Sequence, residues 1–144
     1  SEVFGVYDLI KSRIAQGMPV YGSCAGMILL AEEILDAKQG QKSFGGLAIT
    51  VRRNAFGRQV DSFESDIAFA DGSEQLIRAV FIRAPWVEKV SESVQVLASV
   101  DSHPVAVRSA TALATSFHPE LTGDNRIHRY FIEQVARPAL QKVK

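Results

Sequence analysis

Met18-Pro19-Val20-Tyr21-Gly22-Ser23-Cys24-Ala25-Gly26-Met27-Ile28-Leu29-Leu30 decides how the rest of the chain is read. A short apolar run, Val20-Tyr21, leads into Gly22-Ser23-Cys24-Ala25-Gly26, and an apolar, helix-favouring run follows. The pattern predicts a strand, a tight turn and a helix, with a thiol at the turn. Gly-x-Cys-x-Gly is the thiol form of a nucleophile elbow, in which glycines let the chain turn sharply enough to push the nucleophile out of the sheet. The start of the next helix offers N–H groups and partial positive charge, both favourable to a thiolate. A buried, inert cysteine is the competing reading, because free cysteine often behaves as a small hydrophobe.

Working outward, Val6, Leu9, Ile10, Ile14 and Ala15 fall at helical spacing, with Gly17 as the stop. Met18 to Tyr21 reads as a strand and Ala25 to Leu35 as a helix. A polar loop, Gln39 to Gly46, precedes a strand over Leu47 to Val51. Asn54 to Glu64 reads as irregular, Asp66 to Ala70 as a short strand, and Asp71-Gly72-Ser73 as a turn. Arg78 to Ile82 reads as a strand ended by Ala84-Pro85. Val94 to Val100 alternates as a half-buried strand does, and Asp101-Ser102-His103-Pro104 turns the chain. Val105 to Arg108 and Ala112 to Phe117 resemble an antiparallel pair. Thr122 or Asp124 caps a last helix with Ile127, Tyr130, Phe131, Gln134 and Val135 on one face, and Pro138 ends or kinks it. Helices with short interleaved strands predict one domain over residues 1–144, an α/β three-layer sandwich whose sheet is partly antiparallel.

The composition narrows the function classes. The chain has 144 residues, 47% of them hydrophobic, with 16 Lys+Arg balanced by 16 Asp+Glu. Zero formal net charge gives no support to nucleic-acid or anionic-membrane binding as the main task. One cysteine excludes an intrachain disulfide framework and a cysteine-based zinc site, and it suits a reducing cytoplasm. No apolar run approaches membrane-spanning length. Ser1 is not an initiator methionine, so the chain is expected to begin inside a longer one.

A catalytic thiol needs a base, and there are three histidines. His103 reads as a solvated turn residue and His128 as a surface or packing residue of the last helix. His118 directly follows a strand, at the end where α/β sites collect. Glu120 lies two residues on, on the same side of an extended chain. A carboxylate there would fix the imidazole tautomer and leave the other nitrogen for the thiol. Taken alone, His118-Pro119-Glu120 is a weak signal, because a surface strand-to-helix loop often carries such residues.

Gly22-Ser23-Cys24-Ala25-Gly26 with Ser116-Phe117-His118-Pro119-Glu120-Leu121 resembles the class I, triad-type glutamine amidotransferases. More narrowly, Cys24 to Ala31, Arg53 to Glu64, Phe81 to Pro85 and Arg126-Ile127-His128 are similar to the glutaminase subunits of pyridoxal 5′-phosphate synthases. The Arg53 to Glu64 string is the most specific of these segments. The resemblance implies a flavodoxin-like mixed sheet with helices on both faces. It implies Cys24 as nucleophile, His118 as base and Glu120 as its orienter. It places Arg53, Ile82 and Arg83 at the glutamine pocket and the Ala25 backbone N–H in the oxyanion hole. An arginine meets a carboxylate with two hydrogen bonds, although Arg53 and Arg83 would otherwise read as surface ion pairs. The implied reaction is glutamine hydrolysis to glutamate and ammonia in the cytoplasm, needing no metal or organic cofactor. Ammonia passes to a barrel synthase subunit for pyridoxal 5′-phosphate (vitamin B6) synthesis.

Family members open with strands and a helix and carry a Gly-Gly-Glu-Ser loop that completes the oxyanion hole. Gly45-Gly46-Leu47 follows the elbow and is not that loop. The expectation is a C-terminal portion lacking the family's first strands, with two alternatives to turnover. One is a catalytically silent scaffold that keeps the partner surface. The other is a changed substrate, as in a γ-glutamyl hydrolase or a redox-sensing thiol protein, against which the Arg53 to Glu64 string argues.

Overall fold

A computed structural model describes residues 2–35, 43–52, 62–70, 76–82, 84–100, 102–118 and 125–142. Helix α1 (Glu2–Ala15) ends where Gly17 takes a φ of 101°. The Met18 N–H then bonds back to the Arg13 carbonyl at 3.0 Å, satisfying an orphan carbonyl of the last turn. Strand β1 (Val20–Ser23) and helix α2 (Ala25–Leu30) follow, with Cys24 between them.

The chain then departs from the expected long helix. Ala31 is already extended (φ −67°, ψ 143°), and β2 (Ala31–Leu35) pairs parallel with β3 (Leu47–Arg52). Ala31-Glu32-Glu33 favours a helix locally, but tertiary context overrides so weak a preference. The ladder along β3 satisfies the β2 backbone, buries Ala31 and packs Ile34 on the core.

Strand β4 (Ser62–Ile67) and β5 (Ile77–Ile82) form an antiparallel pair that places Phe63 opposite Phe81 and Asp66 opposite Arg78. Much of β4 lies where the sequence reads as irregular, because Ser62, Glu64, Ser65 and Asp66 mask its alternation. Strand β6 (Trp86–Val90) begins directly after Pro85 and pairs antiparallel with β3. Pro85 thus precedes a strand as well as ending one, consistent with the extended geometry around proline. Strands β7 (Gln95–Val100), β8 (His103–Arg108) and β9 (Ala112–Thr115) follow.

The central sheet has the order β1-β9-β8-β7: β1 runs parallel to β9, and the other neighbours are antiparallel. Two smaller sheets, β2-β3-β6 and β4-β5, flank it. The layering follows from the period of two along β9. Ala112 and Ala114 join Ile14, Met27, Leu30, Leu47, Val51 and Val87 in one core cluster. Leu113 instead joins Phe81, Phe117 and Ile127 in the other. The first cluster packs α1, α2 and the β3 sheet on one side of the central sheet. The second packs the β4-β5 pair and the C-terminal helix on the other. The result is the expected α/β sandwich with a mixed sheet.

The C-terminal helix runs as α3 (Arg126–Tyr130), a π-helical stretch (Phe131–Ala136) and α4 (Arg137–Lys142). Pro138 does not end it. The widened turns stand directly before Pro138, whose missing N–H and bulky ring conflict with a regular bond to residue 134. Thr122 and Asp124, the expected caps, lie outside the described residues, as does the Asp71-Gly72-Ser73 turn. Asn125 precedes the helix, and its carbonyl accepts the Arg129 N–H at 2.9 Å.

Candidate active site

The site grows out of two parallel neighbours, β1 and β9. Tyr21, Gly22 and Ser23 face Leu113, Ala114 and Thr115 in register. Beyond the ladder, the Cys24 N–H donates to the Thr115 carbonyl at 2.8 Å, so the cysteine is tied to the end of β9. Its backbone sits at φ 51°, ψ −106°, a strained conformation for a residue with a side chain. The turn is tight enough that a Cβ on Gly22 would lie 2.6 Å from the carbonyl carbon and oxygen of Gly26. Glycine at position 22 is therefore a steric requirement of the elbow. A Cβ on Gly26 would meet nothing within 4 Å.

Cys24 is only 8% exposed. Its thiol lies 3.0 Å from His118 Nε2 and donates to the Ser116 carbonyl at 2.9 Å. His118, half-buried, is three residues past the end of β9, and its backbone N–H donates to the Val80 carbonyl on β5 at 2.9 Å. The fold brings together two side chains 94 positions apart in the chain, a thiol and an imidazole at proton-transfer distance. Ala25, the first residue of α2, is exposed beside them.

Ile82 ends β5 and is 42% exposed. With Phe63, Glu64 and Val80 it lines a concavity of about 430 Å³ on the same strand whose Val80 carbonyl holds His118. Arg53, Arg83 and Glu120 lie outside the described residues. Among the described residues, no group of three or more histidine, cysteine or carboxylate side chains is arranged to hold a metal ion. No helix among them is long and apolar enough to cross a membrane.

The other two histidines each pack on an aromatic ring. His103 opens β8 and stacks on Trp86, ring centroids 3.6 Å apart and planes within 2°, so it is a packing residue and not a solvated turn. His128 is exposed on α3 and meets Tyr21 edge-on at 5.7 Å. Sequence reasoning missed Thr115 and Ser116. Both are completely buried, and their hydroxyls find partners in Phe117 and Met27. A polar pair closing the apolar Ala112-Leu113-Ala114 run, directly before Phe117-His118, was the available signal.

A family model described as the SNO glutamine amidotransferase family matches residues 1–137. The chain belongs to the SNO glutamine amidotransferase family. Among curated relatives of this family, "Pyridoxal 5′-phosphate synthase subunit PdxT" of Mycobacteroides abscessus is 59% identical over 133 residues, covering 92% of this chain and 68% of the relative. The protein of the same name from Streptomyces coelicolor is 56% identical, over 92% of this chain and 66% of its own length. The chain thus spans about two thirds of these relatives. A crystal structure of a glutamine amidotransferase superposes with a TM-score of 0.83 at 44% identity, over 93% of this chain and 70% of that one. The amidotransferase fold is therefore shown both by sequence and by superposition.

Proposed function

We propose that the protein is a glutaminase that hydrolyses glutamine to glutamate and ammonia through a Cys24 thioester, with the ammonia used in vitamin B6 synthesis. The observation that carries this reading is the 3.0 Å approach of the Cys24 thiol to His118 Nε2 at a strained elbow. Membership of the amidotransferase family and the names of its 56–59% identical relatives support the substrate.

The reaction balances on two side chains. The thiol proton turns from the Ser116 carbonyl to His118 Nε2, which takes it, and the thiolate attacks the amide carbon of glutamine to form a C–S bond. The Ala25 N–H stabilises the tetrahedral oxyanion. Protonated His118 gives its proton to the amide nitrogen, the C–N bond breaks and ammonia leaves. A water then loses a proton to His118 and attacks the thioester. The C–S bond breaks, glutamate departs and the thiol is restored. Glu120 orients His118, while Arg53, Ile82 and Arg83 line the glutamine pocket, where an arginine meets the carboxylate with two hydrogen bonds. The ammonia acceptor is the barrel subunit of pyridoxal 5′-phosphate synthase, and the compartment is the cytoplasm, where a lone thiol stays reduced.

Glutamate release, measured with and without that synthase subunit, tests the reading. Cys24→Ala should abolish it and His118→Asn should lower kcat by about a hundredfold or more. Release at the wild-type rate by Cys24→Ala would remove the nucleophile. Synthase binding with no turnover by the wild type would instead make the protein a silent scaffold.

A further inference from the structure

The peptide unit that carries His118 is gripped at both of its polar atoms. Its amide is the His118 N–H, which donates to the Val80 carbonyl at 2.9 Å. Its carbonyl belongs to Phe117 and accepts the Thr115 hydroxyl at 3.0 Å. In a trans peptide these two groups point in opposite directions, so the plane is clamped from two sides. Tyr21 Oη lies 3.0 Å from Thr115 Oγ1. A carbonyl cannot donate, and the single Thr115 proton goes to Phe117. The Tyr21 hydroxyl must therefore donate to Thr115.

The same Thr115 holds the nucleophile. Its backbone carbonyl accepts the Cys24 N–H at 2.8 Å. One completely buried residue thus fixes the backbone of the thiol-bearing residue with its carbonyl, and that of the imidazole-bearing residue with its hydroxyl. Ser116, lying between, is pinned by its own N–H to the Val105 carbonyl at 2.7 Å and presents its carbonyl to the thiol at 2.9 Å.

We infer that Thr115 is a positioning residue for the Cys24–His118 pair, and that Tyr21 acts through it. The inference rests on the glutaminase reading for its catalytic consequence but not for its geometry. Valine matches threonine in shape and lacks the hydroxyl. In Thr115→Val the Phe117 carbonyl loses its donor, the peptide plane is released on one side, and the imidazole is less well aimed at the sulfur.

Two measurements on the full protein separate positioning from mere stability. The first is the pH profile of Cys24 alkylation by iodoacetamide, which reads thiolate formation without glutamine. The second is steady-state glutaminase kinetics with the synthase subunit. Thr115→Val should raise the alkylation midpoint by about half a pH unit or more. It should also lower kcat by about tenfold to a hundredfold with little change in KM. Thr115→Ser, which restores the hydroxyl, should recover both, and Tyr21→Phe should shift both in the same direction by less. A folded Thr115→Val with the wild-type midpoint and kcat would overturn the inference. Should that variant not fold, wild-type values for Tyr21→Phe would overturn it instead. A wild type that alkylates with the expected profile yet releases no glutamate would defeat the glutaminase reading and leave the positioning role standing.

Discussion

Cys24 holds a backbone conformation, φ 51° and ψ −106°, that a residue with a side chain keeps only when its surroundings impose it. The imposing contacts are the Thr115 carbonyl on its N–H and the close approach of Gly22 to Gly26. Gly22→Ala should therefore cost about 1–3 kcal/mol in urea unfolding, because its new methyl meets backbone and not a movable side-chain end. Gly26→Ala is the contrasting case. Its methyl meets nothing within 4 Å, so stability should hold or rise by up to about 1 kcal/mol. A loss in that second melt would show that the space above Gly26 is not open. At this scale the elbow was legible because Gly-x-Cys-x-Gly encodes it locally. Tyr21 and Thr115 were not, because their meeting depends on the pairing of two strands far apart in the chain.

Elements whose own residues agree with their final state were the readable ones. Helix α1 with Gly17, strand β5, and the β8-β9 pair needed no help from the rest of the chain. Strands β2 and β6 were not readable: Ala31-Glu32-Glu33 prefers a helix, and Pro85 looked like a terminator alone. Both become strands by pairing with β3, which no local pattern announces. The β3–β6 pair carries a polar cross-link. Glu88 accepts the Trp86 indole N–H at 2.7 Å and the Arg52 Nε–H at 2.8 Å. The Trp86 hydrogen bond, then the Arg52 one, hold the Glu88 carboxyl below the usual glutamate range. The charged form is thus favoured in the folded state. Its stabilisation is complete above about pH 4.3, the ordinary glutamate value, and is lost as pH falls through the lower folded value. Glu88→Gln should lower the urea midpoint at pH 7, and the gap to wild type should close as pH falls toward 2. A gap that persists unchanged in acid would argue against the charged pair.

At the scale of the whole molecule, the central sheet separates two cores, and the aromatic one leads directly into His118. Phe81 is completely buried, stacked on Phe63 at 4.6 Å and edge-on to Phe117 at 5.6 Å. Phe81→Ala should destabilise the protein by about 3–5 kcal/mol in equilibrium unfolding, because the cavity would open between the β4-β5 pair and the residue preceding His118. The fold class was legible from the alternation of apolar runs, whereas the split into one four-stranded and two smaller sheets was not. Strand β9 is flanked by β1 and β8 and covered on both faces, and the Cys24 amide is bonded to its last residue. Such amides exchange with deuterium only when the whole domain opens. The thiol and imidazole are therefore held at the end of a slow-opening strand. On warming, loss of their contact should coincide with global melting and not precede it, and deuterium uptake at Cys24 and Ala114 should report the same opening free energy as the full unfolding transition.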